Sequence, residues 1–209
     1  MRPRVKICGI TRVEDAALAA RLGADALGFV FWPESPRAIS PAAARLVAAA
    51  VPPLVARVGV FVNASPAEVA DVARRVGLDA VQLHGDEPAE AYASVPARLI
   101  KAVVLHDEGD VDRAAALPPH VTPLVDAADR AQRGGTGRLA DWQRAADLAR
   151  RRPVMLAGGL TAENVADAIR LVRPWAVDVS SGVETTPGVK NAERLTRFLA
   201  AIGHGSEDV

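Results

Sequence analysis

The chain has 209 residues, 50% of them apolar, and its 25 Lys and Arg residues balance 25 Asp and Glu residues, so the formal net charge is zero. The length fits one domain or two small ones, with enough apolar residues for a large core. A nucleic-acid-binding protein usually carries a basic excess, and a membrane helix needs roughly 20 consecutive apolar residues. Neither feature occurs in this sequence, so we expect no nucleic-acid partner and no membrane partner.

The reactive side chains narrow the possible cofactors. The only cysteine is Cys8, which excludes a disulfide within the chain and fits a reducing compartment, so we expect a cytoplasmic protein. The first residues lack the apolar stretch of a signal peptide. The histidines have no metal-ligand spacing, and there is no Walker-type glycine loop or dinucleotide fingerprint. We therefore expect neither a metal nor another cofactor.

Short apolar runs alternate with alanine-rich segments whose apolar residues recur at helical spacing. The predicted strands are Val5–Gly9, Ala26–Phe31, Leu54–Val62, Ala80–His84, Leu99–Val103, Val121–Asp126, Val154–Ala157 and Ala176–Ser180. Eight strand–helix units without a Pro/Gly/Ser-rich linker favour an α/β fold, a single (β/α)8 TIM barrel of parallel strands. We assign residues 1–203 to this one catalytic domain and 204–209 to a polar tail. A doubly wound open sheet is the alternative.

Several helix boundaries are marked in the sequence. The segments after Thr11 and Thr161 begin amphipathic runs, and Ser65-Pro-Ala-Glu68 has the spacing of a capping box with proline at the first helical position. Gly23 and Gly77 follow helical segments at positions where a left-handed C-cap is expected. They predict matching helix-to-strand turns.

The last two predicted strands each lead into a glycine- or serine-rich turn. The two turns lie about twenty residues apart with one helical segment between them, which is how such a barrel holds a phosphate between its seventh and eighth strands. Backbone N–H groups in these turns and at the following helix starts carry partial positive charge. We therefore expect a small phosphorylated ligand, held by Gly158, Gly159, Ser180, Ser181 and Gly182.

Chemistry in a barrel takes place at the carboxyl ends of the strands. This rule selects Cys8, Arg37, His84, Asp126 and the glycine-rich loop 134–137 as candidates. Each also has an ordinary explanation: a buried small thiol, a surface guanidinium, a hydrogen-bonded rim imidazole, a loop cap or a hinge. Asp126 is the exception that favours a role, because a carboxylate after an apolar run is costly to bury without a partner.

Taken together, the motifs resemble the phosphoribosylanthranilate isomerase family. They occur in the family's order from about residue 4 to about residue 200: Lys6-Ile-Cys-Gly-Ile-Thr11, Gly28-Phe-Val-Phe31, Ser35-Pro-Arg37, Val58-Gly-Val-Phe-Val62, Val81-Gln-Leu-His-Gly85, Gly134-Gly-Thr-Gly137, Leu156-Ala-Gly-Gly-Leu160, Val177-Asp-Val-Ser-Ser-Gly-Val-Glu184 and Pro187-Gly-Val-Lys190. The chain departs from the pattern in Arg138-Leu-Ala, where an aromatic residue often precedes the Asp-Trp pair, and in its polar tail.

The resemblance implies an Amadori rearrangement in tryptophan biosynthesis, without a cofactor. It implies Cys8 as general base, Asp126 as general acid and Arg37 as the partner of the anthranilate carboxylate. The residue types suit these tasks, since a carboxylic acid can protonate the ring oxygen and a thiolate can take the C2′ proton. Lys6 shares the strand face of Cys8 and could favour that thiolate.

Two other functions stay open at this point. The first is a different phosphosugar barrel, such as an epimerase or an indole-forming lyase, which would need a carboxylate pair or a metal cluster at the strand ends. The second is a phosphate-binding regulatory module without activity. The sequence leaves a monomer and a homodimer equally open.

Overall fold

A computed structural model describes residues 2–126 and 141–204 of the chain. The barrel strands are Arg4–Ile7 (β1), Ala26–Val30 (β2), Ala56–Phe61 (β3), Ala80–Leu83 (β4), Arg98–Val103 (β5), Val121–Val125 (β6), Met155–Leu156 (β7) and Ala176–Val179 (β8). Each strand pairs in parallel with its neighbour in sequence, and β8 pairs with β1, so the sheet closes. The predicted (β/α)8 barrel is confirmed, and the open-sheet alternative is wrong.

Most strands end one or two residues earlier than predicted. The extra residues lie at the carboxyl ends, and several of them still donate a backbone hydrogen bond to a neighbouring strand. Cys8 N–H donates to the carbonyl of Val179 at 2.8 Å, and Asp126 N–H donates to the carbonyl of Val103 at 3.1 Å. Their side chains are therefore fixed by the sheet although they belong to the loops.

Helices cover the outside of the barrel. They are Val13–Arg21 (α1), Pro41–Ala49 (α2), Pro66–Val76 (α3), Glu108–Ala115 (α4), Trp142–Ala149 (α5), Val165–Val172 (α6) and Ala192–His204 (α7). The connection from β4 to β5 carries only the short 3₁₀ helix Ala89–Tyr92, where the sequence analysis expected a full strand–helix unit. Prolines at 88 and 96 bound that segment, and proline cannot continue a helix interior.

The predicted caps are confirmed in part. The Ser65 hydroxyl accepts from Glu68 N–H at 3.2 Å, and Gly77 closes α3 with φ +74°. Gly23 is likewise left-handed, with φ +95°. Thr11 has a different task, since its hydroxyl donates to the carbonyl of Gly188 at 2.6 Å and no side chain caps α1.

Two apolar clusters hold these layers together. The larger lies between the sheet and the helices. The smaller fills the barrel interior with residues from β3, β5, β6, β7 and β8, namely Val58, Ile100, Leu124, Met155 and Ala176, together with Ala157 just beyond β7. Because successive side chains on a strand point to opposite faces, the residues two positions further along point into the interior nearer the carboxyl ends. The interior cluster thus lies directly below the carboxyl end of the barrel, where the candidate residues lie.

The chain closes with a short hairpin and the last helix. Glu184–Thr186 (β9) pairs antiparallel with Val189–Lys190 (β10), just before α7. Helix α7 ends at His204, the first residue of the predicted tail, and residues 205–209 lie outside the described part. Within the described ranges, no helix has both the length and the apolar character needed to cross a membrane.

Candidate active site

A buried polar layer lies above the apolar floor of the barrel. Lys6 and Gln82 are each 1% exposed and Asp178 is 8% exposed. The ammonium Nζ of Lys6 lies 2.9 Å from Oδ1 of Asp178. Removing one member of a buried ion pair leaves an uncompensated charge, typically at a cost of about 3–5 kcal/mol. Three polar side chains in a barrel interior therefore need a reason other than packing.

Cys8 lies directly beyond β1, and its side chain faces the same interior as that of Lys6. It is 8% exposed and packs with Val30, Val60 and the partly buried Trp32. Burial raises the pKa of the Cys8 thiol above its ordinary value; Lys6 acts in the opposite direction, and Asp178 adds to the increase. The sequence analysis expected positive surroundings to favour the thiolate. Lys6 and Lys190 act in the expected direction, and burial, which the sequence does not indicate, is the larger effect and raises the pKa of the thiol overall.

Gly28 on β2 provides the room for this arrangement. A Cβ atom on Gly28 would lie 2.9 Å from Sγ of Cys8 and 3.1 Å from Cε of Lys6. Both distances are shorter than an ordinary contact of about 3.5 Å. Cys8 and Lys6 therefore fill the space that a side chain at position 28 would take.

Arg37 reaches the same place from the loop after β2. It packs over Gly9, where an added Cβ would lie 2.6 Å from Cδ of Arg37 and 3.0 Å from Oγ of Ser180; Gly9 has φ +75°, which suits glycine. Arg37 and Ser180 therefore both pack against Gly9, the residue that follows Cys8 in the chain.

Glu184 holds the Arg37 guanidinium in place. Nε of Arg37 lies 3.0 Å from Oε1 of Glu184, and Nη2 lies 2.7 Å from Oε2, so the side edge of the guanidinium is occupied. Lys190 donates to the same carboxylate at 2.7 Å and to the backbone carbonyl of Cys8 at 2.5 Å. Burial alone would raise the pKa of Glu184, but Arg37 and Lys190 together hold it below its ordinary value. Among the residues that the structure describes, none hydrogen bonds to Nη1 on the end edge of Arg37.

The two glycine- and serine-rich turns meet to form one pocket. Gly158 and Gly159 have φ +83° and +65°, and an added Cβ on Gly182 would lie 2.1 Å from the carbonyl oxygen of Leu160. The Oγ of Ser180 is buried and has no hydrogen-bond partner among the described residues. The residues lining the pocket are Asp126, Ala157, Gly158, Gly159, Leu160, Asp178, Val179, Ser180, Ser181 and Gly182. A buried, unpartnered hydroxyl beside glycine N–H groups suits an anion.

Asp126 brings a carboxyl group to this pocket from the end of β6. Its Oδ2 lies 3.3 Å from Nε2 of His84, and Nδ1 of His84 lies 2.8 Å from Nε2 of Gln82. His84 thus lies between Gln82 and Asp126, and the tautomer of its ring decides which of the two neighbours each ring nitrogen donates to or accepts from. The oxygen Oδ1 of Asp126 is not part of this contact.

The structure brings the residues selected from the sequence to one end of the barrel. Gly158, Gly159, Ser181 and Gly182 line one pocket together with Asp126. Cys8 is not among the lining residues; its side chain lies beside that of Lys6, which pairs with the pocket-lining Asp178. The predicted loop 134–137 lies outside the described residues.

Sequence reasoning gave no role to Asp178, Glu184 and Lys190. Asp178 interrupts an apolar strand, which is the same signal that selected Asp126. Glu184 and Lys190 stood inside motifs of the resemblance without a stated role. Among residues 2–126 and 141–204, no group of three or more His, Cys, Asp or Glu side chains is arranged to hold a metal ion.

A closed parallel barrel with a thiol, a carboxyl group and an anion pocket at its carboxyl end is the architecture of a (β/α)8-barrel enzyme. The family model for N-(5′-phosphoribosyl)anthranilate isomerase matches residues 5–201. The chain is 49% identical to the N-(5′-phosphoribosyl)anthranilate isomerase of Geobacter sulfurreducens over 198 residues, covering 94% of this chain and 96% of the relative. It is 48% identical to the Thermotoga maritima enzyme of the same name over 199 residues, with the same coverage of both chains.

Solved structures agree with the sequence relatives. The crystal structure of phosphoribosyl anthranilate isomerase from Thermotoga maritima superposes with a TM-score of 0.89 at 45% identity, covering 97% of this chain and 99% of the other. A crystal structure of the same kind of isomerase in complex with reduced 1-(o-carboxyphenylamino)-1-deoxyribulose 5-phosphate gives a TM-score of 0.86 at 44% identity, with the same coverage. The chain belongs to the N-(5′-phosphoribosyl)anthranilate isomerase family and is an isomerase.

Proposed function

We propose that this isomerase converts N-(5-phosphoribosyl)anthranilate to 1-(2-carboxyphenylamino)-1-deoxyribulose 5-phosphate, the Amadori step of tryptophan biosynthesis. The observation that carries the proposal is that the acid and the thiol lie at the same end of the barrel. Asp126 and Asp178 line one pocket, and Asp178 pairs with Lys6, whose side chain lies beside that of Cys8. We assign residues 1–203 to one catalytic domain that works in the cytoplasm on a small phosphorylated substrate.

Two anchors orient the substrate in this proposal. The phosphate binds to the backbone N–H groups around Gly158, Gly159 and Gly182, and to the hydroxyls of Ser180 and Ser181. The anthranilate carboxylate binds to the free end edge of Arg37, whose side edge is held by Glu184. A planar guanidinium with one fixed edge presents its other donors in a set direction. Fixing the sugar at both ends is a large part of the rate enhancement available to such a site.

Asp126 begins the reaction as the general acid. Its carboxyl group gives a proton to the furanose ring oxygen, the C1′–O bond breaks, and the nitrogen lone pair forms the C1′=N bond of an iminium ion. This leaves Asp126 as a carboxylate, and Nε2 of His84, 3.3 Å from Oδ2, donates to it in the tautomer that carries a proton on Nε2. The contact stabilises the charge that develops when the proton leaves.

Cys8 completes the rearrangement as the general base. Its thiolate takes the proton from C2′, and the C–H electrons form the C1′=C2′ bond while the nitrogen becomes neutral. The enolamine then gains a proton at C1′ and loses the hydroxyl proton at C2′, which gives the ketone. Return of a proton from Cys8 to Asp126 through solvent restores the enzyme, so no redox partner or other reactant is consumed.

Turnover of generated phosphoribosylanthranilate, followed by the loss of its fluorescence, tests the activity. A barrel enzyme of another specificity and an inactive binding module would both leave the fluorescence unchanged. We expect Cys8→Ser to lower turnover by roughly the 10²–10⁴-fold typical of a lost acid or base. Asp126→Asn should lose turnover to a similar degree while still binding the product. Near-normal turnover in either variant would remove that residue from the mechanism.

A further inference from the structure

We propose that Lys6 is the positioning residue that stabilises the thiolate of Cys8, and that Asp178 is the group that holds Lys6 for this task. The inference rests on the proposed function, in which Cys8 is the base. It adds the source of the base, since a buried thiol does not become a thiolate without a nearby cation.

The geometry places the side chain of Lys6 beside that of Cys8. Lys6 and Cys8 are two residues apart and point into the same interior. Cε of Lys6 and Sγ of Cys8 lie 3.1 Å and 2.9 Å from one common point, the Cβ position of Gly28. At most the sum of these two distances therefore separates Cε from Sγ, and the two groups attract one another electrostatically. An ammonium has three donors, and Asp178 takes one of them at 2.9 Å, which leaves donors for the sulfur.

Asp178 keeps Lys6 charged inside the barrel. Burial alone would lower the pKa of Lys6, but the attraction of Asp178 and Cys8 raises it above the ordinary value. Without a carboxylate partner, an ammonium that is 1% exposed would give up its proton and lose its effect on the thiol. Asp178 thus has two opposed effects on the thiol: it keeps Lys6 charged, which favours the thiolate, and its own charge disfavours the thiolate.

The charges around Cys8 come from three elements. Lys6 on β1 and Lys190 on β10 favour the thiolate, and Asp178 on β8 disfavours it. Lys190 is committed to Glu184 and to the backbone carbonyl of Cys8, so its charge is shared with a carboxylate at 2.7 Å. Lys6 is the stronger of the two lysines at the sulfur, and its removal leaves burial and Asp178 to keep the thiol protonated.

The single cysteine makes the test direct, because any thiol signal from the chain comes from position 8. The thiol of the intact protein is titrated without substrate by the ultraviolet absorbance of the thiolate, and by the rate of iodoacetamide alkylation against pH. We expect Lys6→Met to move the titration midpoint to higher pH by at least one unit, a tenfold loss of thiolate on the acid side. Below the midpoint kcat falls by the same factor, whereas KM changes little.

Two further variants keep the inference falsifiable. Lys6→Met combined with Asp178→Asn removes both buried charges, so it folds even if the single variant does not, and its midpoint should also lie above that of the unmodified chain. Lys101→Met is the matched control: Lys101 pairs with buried Glu87 at 3.1 Å on the outer face of β5, so its loss breaks a comparable pair away from the thiol. We expect the control to lose stability without a change in the thiol titration.

The outcomes separate the inference from the proposed function. If the Lys6 variants titrate like the unmodified chain while Cys8→Ser is inactive, the role of Lys6 is refuted and the base assignment stands. If Cys8→Ser turns over normally, the base assignment fails, and the thiol titration still decides whether Lys6 acts on the sulfur. A shift equal to that of Lys101→Met would also overturn the inference.

Discussion

Gly28→Ala is expected to impair catalysis far more than an equally crowded glycine substitution elsewhere in the barrel. The added Cβ would lie 2.9 Å from Sγ of Cys8, whereas an ordinary contact is about 3.5 Å, so the sulfur has to move by roughly 0.6 Å. A misplacement of about 1 Å at a reacting group costs about 10²-fold in rate. We therefore expect kcat to fall by about 10- to 100-fold.

The matched control lies on the neighbouring strand. Gly59 on β3 faces the outer cluster, and a Cβ there would lie 2.4 Å from Cδ1 of Leu78 and 2.8 Å from Cε2 of Phe61. Overpacking of this kind costs about 1–3 kcal/mol in either position. Both variants should lose stability in thermal unfolding, by roughly 2–4 °C per kcal/mol for a chain of this size. Only Gly28→Ala should lose turnover in the fluorescence assay.

The comparison between the two variants tests whether catalysis depends on the position of the Cys8 sulfur. Equal kcat in Gly28→Ala and Gly59→Ala, at temperatures where both are folded, would refute the claim that the sulfur must lie where Gly28 allows it. A loss of kcat in Gly59→Ala alone would show that the outer packing, rather than the interior layer, controls the site.

Two further predictions concern the group around Arg37. Arg37→Lys keeps the charge but loses the planar fork, so KM should rise by roughly 10- to 100-fold, as expected for hydrogen bonds to a charged ligand. The control is Arg57→Lys, which disturbs an exposed two-point pair with Asp79 and should leave KM unchanged. Equal KM values for the two variants would show that Arg37 does not bind substrate. Glu184→Gln should lower the free energy of unfolding at neutral pH. Because the folded-state pKa of Glu184 lies below its ordinary 4.5, its contribution is complete above that pH and is lost as the pH falls below it, so denaturant unfolding should give converging stabilities for the two proteins between pH 6 and pH 3. A difference that is constant with pH would mean that the carboxylate charge has no part in it.

The fold could be predicted from the sequence because a (β/α)8 barrel repeats the same alternation of apolar strand and amphipathic helix along the chain. Buried parallel strands are continuous apolar runs, and the Ser65 cap and the glycine after α3 have local causes that the sequence contains. The absence of an α-helix between β4 and β5 was not predicted from the sequence. The composition of this connection is alanine-rich, but the space between two prolines allows only a 3₁₀ turn.

The candidate site also has a part that could be predicted from the sequence and a part that could not. Cys8, Asp126 and the glycine turns follow from their positions at strand ends, which is local information. The partners of these groups do not, because Arg37 and Glu184 are 147 positions apart and Lys6 and Asp178 are 172 positions apart. Barrel closure brings β1 beside β8, and only that closure makes the pairs. The balance between burial and charge at Cys8 also depends on packing in three dimensions: the sequence indicated the nearby lysine but not the burial that opposes it.

The deep position of the only thiol also bears on how the protein withstands oxidants. Access to the sulfur is narrow, since Cys8 is 8% exposed and Val30, Val60 and Trp32 surround it. Yet a sulfenic acid formed there would find no second cysteine in the chain with which to make a disulfide. Recovery would depend on a small external reductant entering through the same opening that admits the substrate.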